Sequence, residues 1–150
     1  MALNMYIGRS DAKIDKGSRV YIPSQFRKVM GQETSFVARV DMTERYLMVY
    51  PESAWEEKVN ALMARLDEWN AEDEATFMQL NGEATPIQID EQGRFQIPKK
   101  LAERLCFKSE VSFVGMANRF AIWGKELYDD ARAKRPKLDE ALNASLNKKQ

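Results

Sequence analysis

Two short phrases carry the groups in this chain best suited to recognise another molecule. "IDKGSRVYIP", residues 14–23, and "IDEQGRFQIP", residues 89–98, share five of ten positions, among them Asp15 and Arg19 in the first and Asp90 and Arg94 in the second. An arginine four residues after an aspartate, across a tight turn, offers a planar fork of donors that can contact a phosphate or bond guanine O6 and N7 together. The aspartate has two uses: it can hold that guanidinium in place, or it can accept from the amides of the turn. Such a pair also has a purely structural reading, as a stabiliser of a surface turn. Lys13, Lys16, Gly17, Ser18, Gln92 and Gly93 complete the two turns and their approaches. Glycine supplies the positive φ that a tight turn needs. Gly17 and Gly93 stand one position apart within the phrase, so the two turns are expected to differ in detail.

Other chemistry has little to work with. The 150 residues include no His and one Cys, which removes the commonest general base, the commonest metal ligand and every Ser-His-Asp or Cys-His triad. There is no phosphate-cradling Gly-rich loop. An enzyme is not expected, and neither is a cofactor, a metal or a small-molecule substrate. Cys106 lies between Leu105 and Phe107, a setting that predicts a buried, unreactive thiol. Lys and Arg balance Asp and Glu at 23 each, and zero net charge argues against a nucleic-acid binder. The distribution argues the other way. Arg9, Lys13, Lys16, Arg19, Arg27 and Lys28 face only Asp11 and Asp15 in residues 9–28, and the stretch after Asp90 is basic again, whereas residues 51–83 hold nine acids against Lys58 and Arg65. Local field, not the total, steers a polyanion.

The two phrases need a frame, and the sequence after each supplies it. "YLMVYPESAW", residues 46–55, has a counterpart in "RFAIWGKELY", residues 119–128, offset by 73 where the phrases are offset by 75. The two extra residues fall in the loop around Asp41–Arg45. Two blocks in one order indicate an internal duplication. Each copy reads as strand, turn, strand, short helix, strand, strand, with Pro23 and Pro98 suited to the first helical position. The boundaries are a first repeat at 9–54, a helical linker at 55–82, a second repeat at 84–127 and a C-terminal helical tail at 128–150. Ser53-Ala54-Trp55-Glu56 reads as a capping box. Trp55, Val59, Leu62, Met63, Leu66 and Trp69 recur at helical spacing, as a stripe for the core or a subunit contact. A second short helix follows over about 72–80. Beyond Trp123 a helix should run to Arg135, where Pro136 breaks it, and Leu138, Leu142 and Leu146 suggest a last weak helix. No apolar run is long enough to span a membrane, and the first residues lack the pattern of a signal peptide. A reducing cytoplasm fits.

"MYIGRSDAKIDKGSRVYIPSQFR", "IDEQGRFQIPKKL" and "GMANRFAIW" together resemble the MraZ family of bacterial transcriptional regulators, whose members carry two AbrB-like (SpoVT-AbrB) modules in one chain. The resemblance runs over roughly residues 5–128. It implies an α+β fold: two pseudo-symmetric β-hairpin–helix–β-hairpin repeats packed as a small β-barrel, with a helical linker and a C-terminal helix. It implies a ring-shaped homo-oligomer whose Asp-x-x-x-Arg turns meet double-stranded DNA at spaced direct repeats, in the promoter of the cell-division and cell-wall gene cluster. It also implies regulation there, typically repression, and a place in the cytoplasm at the nucleoid.

The chain departs from the family's usual Asp-x-Lys-Gly-Arg turn. Gly17 stands where Lys is usual and Ser18 where Gly is; Gln92 replaces Lys in the second turn, beside Glu91; Ala121 stands where Glu is frequent. Glu91 repels phosphate, so the second turn is expected to be the weaker electrostatic contact. AbrB-like modules also serve in antitoxins, which bind a protein through a tail, and the segment after Pro136 offers one.

Overall fold

The computed structural model describes residues 4–148. The chain runs β1 (Arg9–Lys13), β2 (Arg19–Tyr21), α1 (Ser24–Met30), β3 (Ser35–Val40), β4 (Tyr46–Pro51), α2 (Glu52–Met63), α3 (Ala71–Glu83), β5 (Thr85–Gln88), β6 (Arg94–Gln96), α4 (Lys99–Arg104), β7 (Glu110–Met116), β8 (Arg119–Gly124), α5 (Lys125–Ala133) and α6 (Leu138–Asn147). The fold is α+β. Six strands form one antiparallel sheet in the order β1-β7-β8-β4-β3-β5, and β2 pairs with β6 in a separate antiparallel ribbon. Among the described residues no helix is long and apolar enough to cross a membrane.

The sheet does not close into the expected barrel. Among the described residues β1 has β7 as its one sheet partner and β5 has β3, which leaves two open edges. The reason lies at the two turns. Each is closed by a bond from the aspartate amide to the arginine carbonyl, Asp15 to Arg19 at 2.9 Å and Asp90 to Arg94 at 2.9 Å. The flanking strands then part company instead of forming a hairpin. Ile14 continues along β7 with a bond to Ser109, while Ile22 bonds Gly93 and Ile97 bonds Ser18, so each exit strand is claimed by the other half of the chain. Burial drives this. Val20 and Phe95 face each other across the ribbon and are 1% and 3% exposed. The genuine hairpins are β3–β4 and β7–β8.

The inner face of the sheet, the ribbon, α1 and α4 enclose one core, built on Phe26, Phe36, Phe113, Phe120, Leu47, Ile97 and Ile122. A smaller cluster of Met48, Tyr50, Trp55, Ala121 and Trp123 lies on the other face, against α2 and α5. Pro23 and Pro98 sit one place earlier than expected, as the residues preceding α1 and α4 with extended ψ. The capping box is absent: Ser53 lies inside α2, and its amide and hydroxyl donate to Glu33 at 3.0 and 3.1 Å. The linker stripe is only half internal. Trp55 is buried, but Met63 is 52% and Trp69 89% exposed, because α2 stops at Met63 and Trp69 falls in the connection to α3. Cys106 is exposed, correcting the expected burial; it follows α4 with a φ of 56°, which turns its side chain away from the core that Leu105 enters.

Candidate nucleic-acid interface

The two turns have one construction. In the first, Asp15 Oδ1 accepts from the Gly17 and Arg19 amides, both at 2.8 Å, and Oδ2 accepts from Arg19 Nε at 3.1 Å. In the second, Asp90 Oδ1 accepts from the Gln92 and Arg94 amides at 2.9 and 3.1 Å, and Oδ2 accepts from Arg94 Nε at 2.7 Å. The two uses foreseen for the aspartate are therefore both realised, one by each oxygen. The expected difference in detail is not there. The left-handed residue is the fourth of five in both turns, Ser18 at φ 63° and Gly93 at φ 81°. Gly17 is outside that region, so the residue bearing the backbone strain in the first turn is a serine.

The carboxylates respond to this setting. The Arg19 amide, helped by the Gly17 amide and the Arg19 guanidinium, holds the Asp15 carboxyl below the ordinary range. At Asp90 desolvation works upward, but the Arg94 side chain and the Arg94 and Gln92 amides outweigh it, and the carboxyl is again lowered. Arg94 is raised, first by its bond to Asp90 and further by the nearby charges of Asp90, Tyr21 and Asp15. Both carboxylates stay ionised at neutral pH. Each arginine spends Nε on its aspartate and leaves its terminal amino groups without an ion pair among the described residues.

The ribbon sets the turns at opposite ends of one exposed strip. Its register pairs Arg19 with Gln96 and Tyr21 with Arg94, all on the face opposite Val20 and Phe95. Two residues along and one strand across place the two arginine Cα atoms on the order of 8 Å apart. Lys16 is exposed at the tip of the first turn, and Gln92 takes the third place of the second. Lys13 is exposed but belongs to the six-stranded sheet, opposite Glu110. The ribbon also brings in residues that the turn motif does not contain. Tyr21 is 55% exposed, and Gln96 reaches back to donate its amide to the Gly17 carbonyl at 3.1 Å. Period-two alternation from Arg19 and Arg94 is the signal in the sequence that points to them. Arg27, from α1, lies across Gly93, where any Cβ would collide with its guanidinium. The matching place on α4 is Ala102, so the second turn gains a guanidinium that the first lacks.

A third Asp-x-x-x-Arg turn lies in the β3–β4 hairpin. Asp41 accepts from the Thr43 amide at 2.8 Å, the Arg45 amide at 2.7 Å, the Tyr46 amide at 3.1 Å and the Thr43 hydroxyl. Glu44, fourth in this turn, has φ 55°. Here Asp41 is 6% exposed, and Arg45 leaves it to lie over Trp123, 5.2 Å from the ring centre. A further cationic group stands on the outer face of the sheet, where Arg39, Arg119 and Lys58 lie 5.7, 5.9 and 6.0 Å from the Tyr50 ring centre. None of the three has an ion pair among the described residues.

The fold and this surface define an α+β protein that displays paired, carboxylate-capped arginine turns on a common ribbon. The chain belongs to the MraZ family. The family model described as "MraZ protein, putative antitoxin-like" matches residues 80–146. A "Transcriptional regulator MraZ" of Bacteroides fragilis is 37% identical over 123 residues, 81% of this chain and 78% of the relative. Its namesake in Bacteroides thetaiotaomicron is 32% identical over 144 residues, 94% and 89% of the two chains. That of Coxiella burnetii is 29% identical over 130 residues, 85% of each.

Proposed function

We propose that the chain is a sequence-specific DNA-binding regulator of transcription, typically a repressor, that grips double-stranded DNA with its two Asp-x-x-x-Arg turns. One observation carries this reading: the β2–β6 ribbon holds the exposed Arg19 and the half-buried Arg94 on a single face, each oriented through Nε by its own carboxylate. The free ends of the guanidinium groups suit phosphate oxygens or guanine edges. Lys16 adds charge at the first turn, and Arg27, lying across Gly93, adds charge at the second. Gly17, Ser18, Gln92 and Gly93 shape the turns, and Lys13 flanks them. The names of the relatives support the regulatory role.

The halves act as two AbrB-like repeats, residues 9–54 and 84–127, joined by the linker 55–82 and followed by the tail 128–150. Exchange of β1 for β5, β2 for β6, β3 for β7 and β4 for β8 reverses the strand order without changing it, which supports the duplicated reading. Chains assemble into a closed ring, so that weak contacts add over spaced direct repeats. The exposed Met63, Trp69 and Met78, the acidic linker and the Arg39–Arg119–Lys58 surface suit such self-association. Its targets are the promoters of the cell-division and cell-wall genes, and its place is the cytoplasm at the nucleoid. A gel-shift series on the chain's own upstream DNA, across salt concentrations, tests the reading: a sequence-preferring complex that weakens steeply with salt is expected, and equal affinity for unrelated DNA would refute it. A second reading, as an antitoxin-like protein, rests on α6, whose Leu138, Leu142 and Leu146 are 70, 49 and 61% exposed; it predicts a fixed protein partner on purification.

A further inference from the structure

If the ribbon meets DNA, the strip between its arginines cannot be idle. Tyr21 and Gln96 are the other two corners of the rectangle on which Arg19 and Arg94 sit diagonally, on the same face of the ribbon. Both are uncharged, so neither adds to the long-range attraction. Both carry groups with base-reading chemistry. We propose that Tyr21 and Gln96 are the base-discriminating residues of this surface, Gln96 selecting adenine and Tyr21 the thymine methyl group, while the arginines orient the ribbon on phosphate and guanine. The inference rests on the DNA-binding reading above.

The geometry favours this division. A two-stranded antiparallel ribbon fits the major groove, roughly 12 Å wide, with strands about 5 Å apart. Residues of one face then point at the base edges. Gln96 gives one amide hydrogen to the Gly17 carbonyl at 3.1 Å, which fixes the side chain in rotation. It keeps Oε1 and its second amide hydrogen, the acceptor and donor that adenine N6 and N7 require. The same bond ties the strip to the first turn, so a base read by Gln96 falls in fixed register with the contact made by Arg19, its cross-strand neighbour. Tyr21 stands opposite Arg94 with more than half its surface open. Its ring is the large apolar face of the strip, suited to the one apolar group of the groove, the thymine 5-methyl.

The test uses the full-length chain and its own promoter fragment, with every base pair of the bound site varied in turn. For the parent, replacing the read adenine should cost about tenfold in affinity. Gln96→Ala should be indifferent to that replacement while keeping the parent's salt slope, and Gln96→Leu, which keeps the length of the side chain, should behave alike. Replacing thymine by deoxyuridine removes only the methyl group; the parent should lose affinity on the substituted fragment and Tyr21→Ala should not. Variants that weaken binding uniformly on every fragment, retaining the parent's base preferences, would overturn the assignment and leave the two residues as supports of the ribbon. A parent that prefers its promoter, and loses it with Arg19→Ala, would in that case still uphold the DNA-binding reading. A parent without any sequence preference would refute that reading, and this inference with it.

Discussion

The three Asp-x-x-x-Arg turns share an aspartate that caps their amides and a left-handed fourth residue, and differ in where the arginine goes. At 15–19 and 90–94 the arginine returns to its own carboxylate, on an open ribbon. At 41–45 the carboxylate is buried under three amides and a hydroxyl, and the arginine crosses to the face of Trp123. Two properties that coincide in the motif are separate in the molecule. Aspartate capping of the amides makes the turn, whether the flanking strands part, as at 15–19 and 90–94, or pair as a hairpin, as at 41–45. Availability of the guanidinium is set by the surroundings: an exposed ribbon in two cases, a neighbouring aromatic ring in the third.

The largest effect is expected from removing the arginines. Arg19→Ala should keep the fold and lower promoter affinity by about tenfold or more for each turn that meets DNA, compounded over the sites a multimer engages. Arg45→Ala should leave affinity unchanged. Titrations of both variants against the promoter decide it, and equally weakened binding would mean that the third turn also reaches DNA.

Removing the aspartates should reverse the ranking. Asp41→Ala strips a buried cap and should cost about 2–3 kcal/mol of stability, roughly 5–10 °C in a chain of this size. Asp15→Ala, at an exposed turn, should lower the melting temperature less and reduce DNA affinity more. The acid limb of stability carries the same signature. At Asp41 burial pushes the carboxyl up, but the Thr43 hydroxyl and the amides of Arg45, Thr43 and Tyr46 hold it below the ordinary range. Its contribution is present above the usual aspartate pKa of about 3.9 and fades as pH falls through the lowered folded value. Asp41→Asn should therefore flatten part of the fall in melting temperature on acidification; an unchanged acid limb would assign that fall to Asp15, Asp90 and Asp129, which are shifted in the same direction.

The smallest effects concern the fourth turn residue. Ser18→Gly should gain about 1 kcal/mol by relieving a left-handed serine, whereas Gly93→Ala should destabilise through its φ of 81°, with the Arg27 guanidinium shifting aside to admit the methyl group. Thermal melts of the two variants should move in opposite directions. Movement in one direction would mean that the turns are less alike than their hydrogen bonds.

Much of the molecule is legible in its sequence because it depends on local chemistry. The element order, the two turns and the redoubled phrase follow from aspartates, prolines and alternating apolar residues close in sequence. What is not legible is set by distant partners. Nothing local to Val20 or Phe95 says that their strands pair with each other and leave the sheet open. Ser53 has the spacing of a helix cap, yet it is claimed by Glu33, twenty residues away. Glycine usually takes the left-handed place of a turn, which points to Gly17; the carboxylate cap sets that place, and it falls on Ser18. Tyr21 and Gln96 escape a motif-based reading because the turn, and not the strand leaving it, holds the recognisable pattern.

The exchange of strands between the halves also sets a schedule for synthesis. Arg9 pairs across from Val114, and Leu47 from Ile122. At about 5–20 residues per second, the first strand leaves the ribosome on the order of ten seconds before its neighbour exists. Through that interval β1 has no native sheet partner and β4 lacks one of its two, so a nascent chain exposes edges that a neighbouring nascent chain could match. Closing contacts across so much sequence is slow even once the chain is free. A protein whose halves lean on each other in this way cannot complete its sheet until its second half has been made.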